Sequence, residues 1–325
     1  YFPNPKSDIE EERRLFYVAV TRAKHSLIIS LNKKDECSSL LKEIPENLFD
    51  KEFIFDEINY LGYPGTMGAD FIDYMIADEV VVPLECRDFY TEKIIQMPNS
   101  YQVNDATRRI SEGPVTRAEM GLPAGAFVFC CFNNSYKITA DEFDVWMRML
   151  NNIDGSVLWL LQCNPWAEKN LRQQATARGI DCQRIIFAAT LPQAEHLARH
   201  RLADLFLDTF VVNAHTTASD ALWAGLPVVT KLGQGFAARV AGSLLTALGL
   251  PELITRTTAE YEALILQLAC HPQSLTAIRQ KLQRQRLSAA LFDSELFTRH
   301  LEEGYRRAYD HHFDQHDPEH IQIAP

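Results

Sequence analysis

The chain has 325 residues, of which 46% are apolar and 23% charged. That is a globular composition, long enough for two domains. A formal charge of -11 argues against an extended nucleic-acid surface, which needs clustered Lys and Arg. No apolar run approaches the ~20 residues that span a bilayer. Seven cysteines without a CxxC pair give no metal framework and read as reduced thiols. With no signal-peptide pattern, they point to the cytoplasm.

Taken in order, Asp8 to Arg22 reads as a charged amphipathic helix, in which Glu10 to Arg14 lead into Leu15, Phe16, Val18 and Ala19. His25 to Ser30 follows as a strand. The run EERRLFYVAVTRAKHSLIIS resembles the last motif of UvrD-like superfamily 1 helicases, where a helix and a strand close the second motor domain. The resemblance implies that Arg22, the arginine of the TRA sequence, reaches the γ-phosphate of ATP, where a guanidinium stabilises charge spread over several oxygens. A surface helix with Arg22 paired to a carboxylate is the alternative. The chain has no GxxxxGK[ST] and no Gly-Lys dipeptide, so the phosphate-cradling loop is absent and helicase activity is not expected. Lys33 to Glu57 reads as the tail of this unit. The chain opens on Tyr1, which suits an amino terminus that lies upstream.

A change of register comes near Ile58. Ile58 to Leu61 predicts a short strand, GYPGTMG a glycine-rich loop, and Phe71, Ile72, Tyr74 and Met75 recur at helical spacing. Ile76 to Pro83 predicts another strand, and Ile94 to Met97 a short extended piece. Thr107 to Pro123, with Gly113, Pro114, Gly121 and Pro123, reads as a linker and a domain boundary.

Beyond it strands and helices alternate. Strands are predicted at Phe127 to Phe132, Val157 to Leu161, Ile185 to Ala189, Leu205 to Leu207 and Val228 to Thr230. Helices are predicted at Asp141 to Leu150, Ala167 to Arg178 and Pro192 to Arg201, the last with Pro192 in its first turn. Continuous Val, Ile, Leu and Phe runs imply strands buried on both faces, hence a doubly wound parallel sheet of about five strands. Four helices finish it, at Ala237 to Leu248, Ala259 to Leu268, Leu275 to Arg284 and Glu295 to Ala308. The His-rich end, with His311, His312, His316 and His320, reads as a solvated tail.

Ligands of such a sheet sit at the carboxyl ends of its strands, where a helix start offers unpaired N–H groups to an anion. Three loop ends carry candidates. FNNSYKI places Asn133, Asn134 and Lys137 after the first strand. LPQAEHLARH places His196 and Arg199 one helical turn apart after the third. VVNAHTTASDALWAGLPVVT, after the fourth, brings His215, Thr216, Thr217, Ser219 and Asp220. Ordinary N-capping by Thr217 or Ser219 is the plainer explanation of that last stretch. A lysine, histidines and a helix start on one edge suit a diphosphate, with Asp220 available to a ribose.

INYLGYPGTMGADFIDYMIAD, FNNSYKI, HTTASDALWAGLPVVT and KLQRQRLSAALFD resemble the catalytic region of the O-GlcNAc transferase family, SPINDLY-like, over residues 58–325. The resemblance implies an α/β fold: the C-terminal Rossmann-like half of a GT-B glycosyltransferase with a partial N-terminal half and a small helicase-derived N-terminal segment. The expected division is 1–57 helicase fragment, 58–110 remnant of the GT-B N-terminal half, and 111–325 nucleotide-sugar-binding domain. It also implies transfer of N-acetylglucosamine from the donor substrate UDP-GlcNAc to protein Ser and Thr hydroxyls, with inversion, without metal and without a resident cofactor. Lys137 would be catalytic, stabilising the departing UDP. Asn134, His196, Arg199, His215, Thr216, Thr217 and Asp220 would bind the donor: His215 and the two threonines its phosphates, Asp220 its ribose, His196 with Arg199 its uracil and ribose. Nucleic acid and membrane are not expected partners.

This chain departs from the family pattern in places. Gln193 stands where animal members carry lysine, and Asn134 where they carry glutamine. The domain inserted between the halves of animal enzymes is missing, and only the last strand-loop-helix unit of the N-terminal half is present. No 34-residue repeat is detectable. Two readings follow: a protein glycosyltransferase, or a UDP-sugar-binding remnant joined to a helicase fragment. A helicase-associated module is a third, and it requires ATP near Arg22.

Overall fold

Uninterrupted apolar runs set the architecture, because a strand covered on both faces has no polar side to show. Chain contacts divide the protein into two units, Tyr1–Glu57 and Ile58–Pro325. The computed structural model describes residues 57–325. The helix and strand expected of the first segment, and Arg22, lie outside the described residues.

The second unit opens with β1 (Ile58–Asn59), β2 (Tyr74–Asp78) and β3 (Lys93–Met97), paired in parallel. Here the expected helical spacing of Phe71 to Met75 gives way to strand. All five residues of β2 are buried, whereas Phe71 is 65% exposed, so that spacing joined two environments by coincidence. The strand expected to run to Pro83 stops at Asp78. Its Oδ1 accepts from Val80 N at 2.9 Å and Val81 N at 3.0 Å, a local turn that competes with the ladder. A 3-10 helix, Leu84–Phe89, then carries the chain to β3.

The larger sheet contains β4 (Val128–Cys131), β5 (Val157–Leu161), β6 (Ile185–Ala188), β7 (Leu205–Leu207), β8 (Val228–Lys231) and β9 (Ile254–Thr255). All pairs are parallel, in the order β6-β5-β4-β7-β8-β9. It has one strand more than expected, because β9 is two residues long and leaves no periodic signal. The helices are α1 (Ala140–Asn152), α2 (Pro165–Ala177), α3 (Gln193–Arg199), α4 (Thr216–Trp223), α5 (Val240–Ala247), α6 (Thr258–Cys270), α7 (Pro272–Gln285) and α8 (Ser294–Phe313). Pro192 stands at the N-cap of α3 rather than within its first turn. Capping boxes start α1 at Thr139 and Glu142 and α6 at Thr257 and Glu260. Among the described residues, no helix is long and apolar enough to cross a membrane.

The strand order places the site. The chain lays down β4, β5 and β6 in one direction, then returns to the other flank of β4 for β7, β8 and β9. Where an order reverses, the two neighbouring loops leave in opposite directions and open a crevice at the carboxyl edge. Here that crevice lies between the loops after β4 and β7.

The His-rich end is not a free tail. β10 (Ile321–Gln322) pairs in parallel with β3, setting Ile321 opposite Ile95. Ile321 and Ile323 are buried around an exposed Gln322, a period-2 pattern too short to read. The Nδ1 of His320 accepts from Ile94 N at 2.9 Å. α8 crosses the same sheet closely, since a Cβ on Gly304 would meet Ile95 Cγ2 at 2.7 Å. The smaller sheet is tied to the larger by Asp78, whose Oδ2 accepts from Ser243 Oγ on α5 at 2.6 Å and from Tyr101 N at 2.8 Å. Arg239 Nε donates to the Val80 carbonyl beside it. Burial pushes the Asp78 carboxyl above its ordinary range, against these hydrogen bonds.

Candidate functional site

After β4 the chain turns through Asn133, which is 2% exposed. Its Nδ2 donates to Thr209 Oγ1 at 2.8 Å, and its Oδ1 accepts from the Thr217 hydroxyl. One amide thus pins the β4 loop to the β7 loop and to the first turn of α4. Asn134 is exposed and forms the N-cap of a short 3-10 helix, Ser135–Lys137. That turn aims Lys137 across the crevice, where Nζ donates to the Asn213 carbonyl at 2.9 Å. An ammonium has three donors; among the described residues, the protein takes this one. Burial lowers the lysine's pKa, and the Asp208 charge acts against that shift.

Asp208 is a residue that motif reading passed over. It follows β7 directly and is fully buried. Its Oδ1 accepts from Thr209 N at 2.8 Å and from Ala214 N at 2.6 Å, and its Oδ2 accepts from Thr230 Oγ1 at 2.6 Å. Tyr261 closes the arrangement from α6, donating its hydroxyl to the Asp208 carbonyl at 3.1 Å. The carboxylate therefore folds residues 208–214 into the turn that presents the Asn213 carbonyl to Lys137. Burial pushes its pKa up to about 7, while hydrogen bonds from Thr230, Ala214 and Thr209 and the Lys137 charge draw it down. Its signal was only an acid at the end of an apolar strand.

α4 starts at this turn. The capping expected of Thr217 or Ser219 does not occur: the N-cap is His215, without a side-chain cap bond. The Thr217 hydroxyl is spent on Asn133, and Ser219 Oγ, buried further along, donates to Asn104 Oδ1. The helix start keeps N–H groups that no side chain caps, which with the helix dipole favour an anion. Thr216 is exposed beside them. Proline and glycine end the helix as the sequence implied. Gly225 takes φ +86°, and Leu226 N donates back to the Ala221 carbonyl at 2.8 Å.

The histidines are held as neutral rings. His215 Nε2 lies 3.2 Å from the Ala237 carbonyl; a carbonyl only accepts, so the hydrogen belongs on Nε2 and Nδ1 is left as an acceptor. Burial lowers its pKa to about 4, with the Lys137 charge adding to that shift. On α3, Arg199 Nη2 contacts His196 Nδ1. A guanidinium only donates, so Nδ1 accepts and the neutral His196 carries its hydrogen on Nε2. Burial and the Arg199 charge lower the His196 pKa to about 4.

Arg199 itself is not on the open surface. It is 1% exposed, donates to the Ala189 carbonyl, and stacks over Phe132 with its guanidinium carbon 4.6 Å from the ring centroid. Its Nη2 holds the His196 ring, and Phe132, just after β4, also meets that ring, 5.4 Å between centroids. Asp220 lies one turn into α4, nine-tenths buried and ion-paired with Arg108, a partner no motif announced.

The structure therefore sets Lys137, Asn134, His215, Thr216 and Thr217 on the two loops and the helix start beside the crevice, with Asp220 buried one turn further along α4. His196 stands at the adjoining loop end, braced by Arg199. An ammonium and uncapped N–H groups suit an anion such as a diphosphate, with neutral imidazoles and a carboxylate nearby for hydrogen bonds. Among the described residues, no cluster of His, Cys, Asp and Glu is arranged to hold a metal ion.

Residues 52–114 and 110–301 match the model of glycosyl transferase family 41, and residues 1–34 match that of the UvrD-like helicase C-terminal domain. The probable UDP-N-acetylglucosamine–peptide N-acetylglucosaminyltransferase SEC of Arabidopsis thaliana is 36% identical over 273 residues, 82% of this chain and 28% of that protein. The SPINDLY protein of Solanum lycopersicum, named as the same probable activity, is 32% identical over 263 residues, 79% of this chain and 28% of that one. Among solved structures, a mutant of the Thermobaculum terrenum O-GlcNAc transferase superposes with a TM-score of 0.73 at 29% identity, over 79% of this chain and 49% of that chain. Anabaena HepE, in complex with UDP and glucose, shares the fold at a TM-score of 0.52 and 18% identity, over 73% of this chain and 64% of that one. The chain thus spans 28% of the length of these two curated relatives. The α/β fold with two parallel sheets is that of the GT-B glycosyltransferases among these neighbours. With the family model matched across residues 52–301, most of the chain, the chain belongs to glycosyl transferase family 41.

Proposed function

We propose that this chain binds UDP-GlcNAc at the crevice between β4 and β7 and transfers its N-acetylglucosamine to Ser and Thr hydroxyls of an acceptor protein. The observation that carries the proposal is Lys137 beside the uncapped start of α4. In a single displacement the acceptor oxygen bonds to the anomeric carbon as the bond to the β-phosphate oxygen breaks, and the hydroxyl proton passes to the departing diphosphate or to solvent. The bond electrons leave with UDP, and the configuration inverts. Negative charge grows on the departing oxygen, where donors fixed in advance act most strongly.

Lys137 supplies a full positive charge there, and the N–H groups at Thr216 and Thr217 supply oriented dipoles. These take the part a divalent ion plays elsewhere, so the proposed reaction is metal-independent and uses no resident cofactor. His196, with its hydrogen on Nε2, offers a donor to a carbonyl of the base. Asp220 offers an acceptor to the ribose. His215 contributes an acceptor nitrogen and the backbone that starts α4, rather than a cation.

Purified protein with UDP-GlcNAc and a Ser/Thr acceptor peptide is expected to release UDP with a chelator present. Binding of UDP without turnover would reduce the chain to a donor-binding unit. Absence of UDP binding would contradict the proposal outright.

A further inference from the structure

The segment between the two sheets, read from sequence as a linker, is strapped against α3 and α4. Ser111 N donates to the Ala194 carbonyl in α3 at 3.0 Å, and Arg201 donates to the Ser111 carbonyl. Three residues earlier, the Arg108 carbonyl accepts from Trp223 Nε1 of α4 at 3.0 Å. The strap therefore joins the helix of His196 to the helix of Asp220.

From it the Arg108 side chain turns inward. Its Nη1 pairs with Asp220 Oδ1, and its Nη2 donates to Ser219 Oγ at 3.2 Å. The guanidinium also lies over the Trp223 ring, 5.9 Å from the centroid. The two side chains of the pair are only 9% and 11% exposed. Ser219 is braced in turn by Asn104, whose Nδ2 donates to the Gln102 carbonyl at 3.0 Å and the Leu291 carbonyl at 3.3 Å. Among the described residues, Oδ1 of Asp220 is taken by this network and no protein hydrogen bond reaches Oδ2.

We propose that Arg108 is a positioning residue for the donor: by holding Oδ1 it fixes the Asp220 carboxylate so that Oδ2 accepts from the ribose hydroxyls of a nucleoside diphosphate. The inference rests on the reading of Asp220 as the ribose contact. A buried carboxylate without its cation is poorly solvated and free to turn. Burial already raises the proton affinity of Asp220, and Arg108 is what opposes it. A planar, two-pronged guanidinium fixes both charge and angle, which an ammonium does less well.

The test is calorimetric titration of the full chain with UDP and with 2′,3′-dideoxy-UDP. Wild type is expected to bind UDP more tightly than the dideoxy analogue. Arg108→Ala should weaken UDP by about tenfold, the effect of one hydrogen bond to a charged group. It should leave dideoxy-UDP unchanged, and Arg108→Lys should restore part of the loss. In an Asp220→Asn background, Arg108→Ala should have no further effect. Equal loss for both ligands, or no loss for either, overturns the inference. If Arg108→Ala fails to fold, the lysine variant carries the same comparison of ligands. Wild type that binds neither ligand overturns the donor-site reading itself.

Discussion

Removing the Lys137 charge separates its proposed catalytic part from its structural one. In the folded chain its ammonium makes one hydrogen bond, to the Asn213 carbonyl at 2.9 Å, and is half-buried at a cost that shows as a lowered pKa. Lys137→Ala loses that bond but also relieves the buried charge, so the net change in stability is about 1 kcal/mol. For a unit of this size, that shifts the melting temperature by about 2–4 °C. The effect on transfer is larger, because the lost donor faces charge that develops only as UDP departs. Removing one such donor lowers kcat by about 10²–10³-fold, or ~2.7–4 kcal/mol.

The assay is UDP release from UDP-GlcNAc at saturating acceptor, beside a thermal melt of the same preparation. The pH profile adds a sign. As pH rises through the lowered pKa, the ammonium is lost, so activity should fall on an alkaline limb that begins below the ordinary lysine range. Lys137→Arg, a weaker but permanently charged replacement, should remove that limb. A Lys137→Ala enzyme that is folded and within about tenfold of wild-type kcat would refute the reasoning.

Other residues give independent tests. Asp208→Ala strips acceptors from two backbone N–H groups and a hydroxyl. It is expected to destabilise the unit by ~3–5 kcal/mol, read by denaturant melts, and to abolish UDP binding where the protein still folds. Because burial lifts the Asp208 carboxyl to about 7, above its unfolded value, its contribution to stability is present in full below the unfolded pKa and fades as pH rises through about 7; a wild-type midpoint that falls no more across that window than that of Asp208→Asn, which cannot titrate, would contradict this. Arg199→Met should leave the hydrophobic stack on Phe132 largely filled but free His196 to change tautomer. The expected result is weaker uridine-nucleotide binding with little change in melting, visible also in the His196 ring nitrogen shifts by NMR. Gly304→Val forces a side chain against Ile95 and should destabilise the unit by about 1–3 kcal/mol; an unchanged melt would show that α8 sits further from β3 than described.

Much of the larger sheet was legible because β4, β5, β7 and β8 are continuous apolar runs, each followed by a recognisable helix start. Lys137 and the HTTASD stretch stood out for the same reason: polar residues concentrated where an apolar strand ends. The smaller sheet was harder. β2 was overlain by an accidental helical spacing from exposed Phe71, and β9 and β10 are two residues each, below any detectable period. Partners far apart in sequence were invisible. Asp208 is one acid among many until Ala214 N and Thr230 Oγ1 are seen on it, and Arg108 meets Asp220 across 112 positions. Arg199 had the right spacing to His196, but only packing shows that it is a brace.

The central claim is that a sugar nucleotide's diphosphate sits between Lys137 and the start of α4. Amide hydrogen exchange on the full chain, with and without UDP and in the presence of a chelator, addresses it directly. The account predicts protection of the first-turn amides Thr216, Thr217 and Ala218 and of residues 133–138, lost in Lys137→Ala. UDP that binds while these amides exchange as in the free protein, or that protects them only when a divalent ion is added, would contradict it.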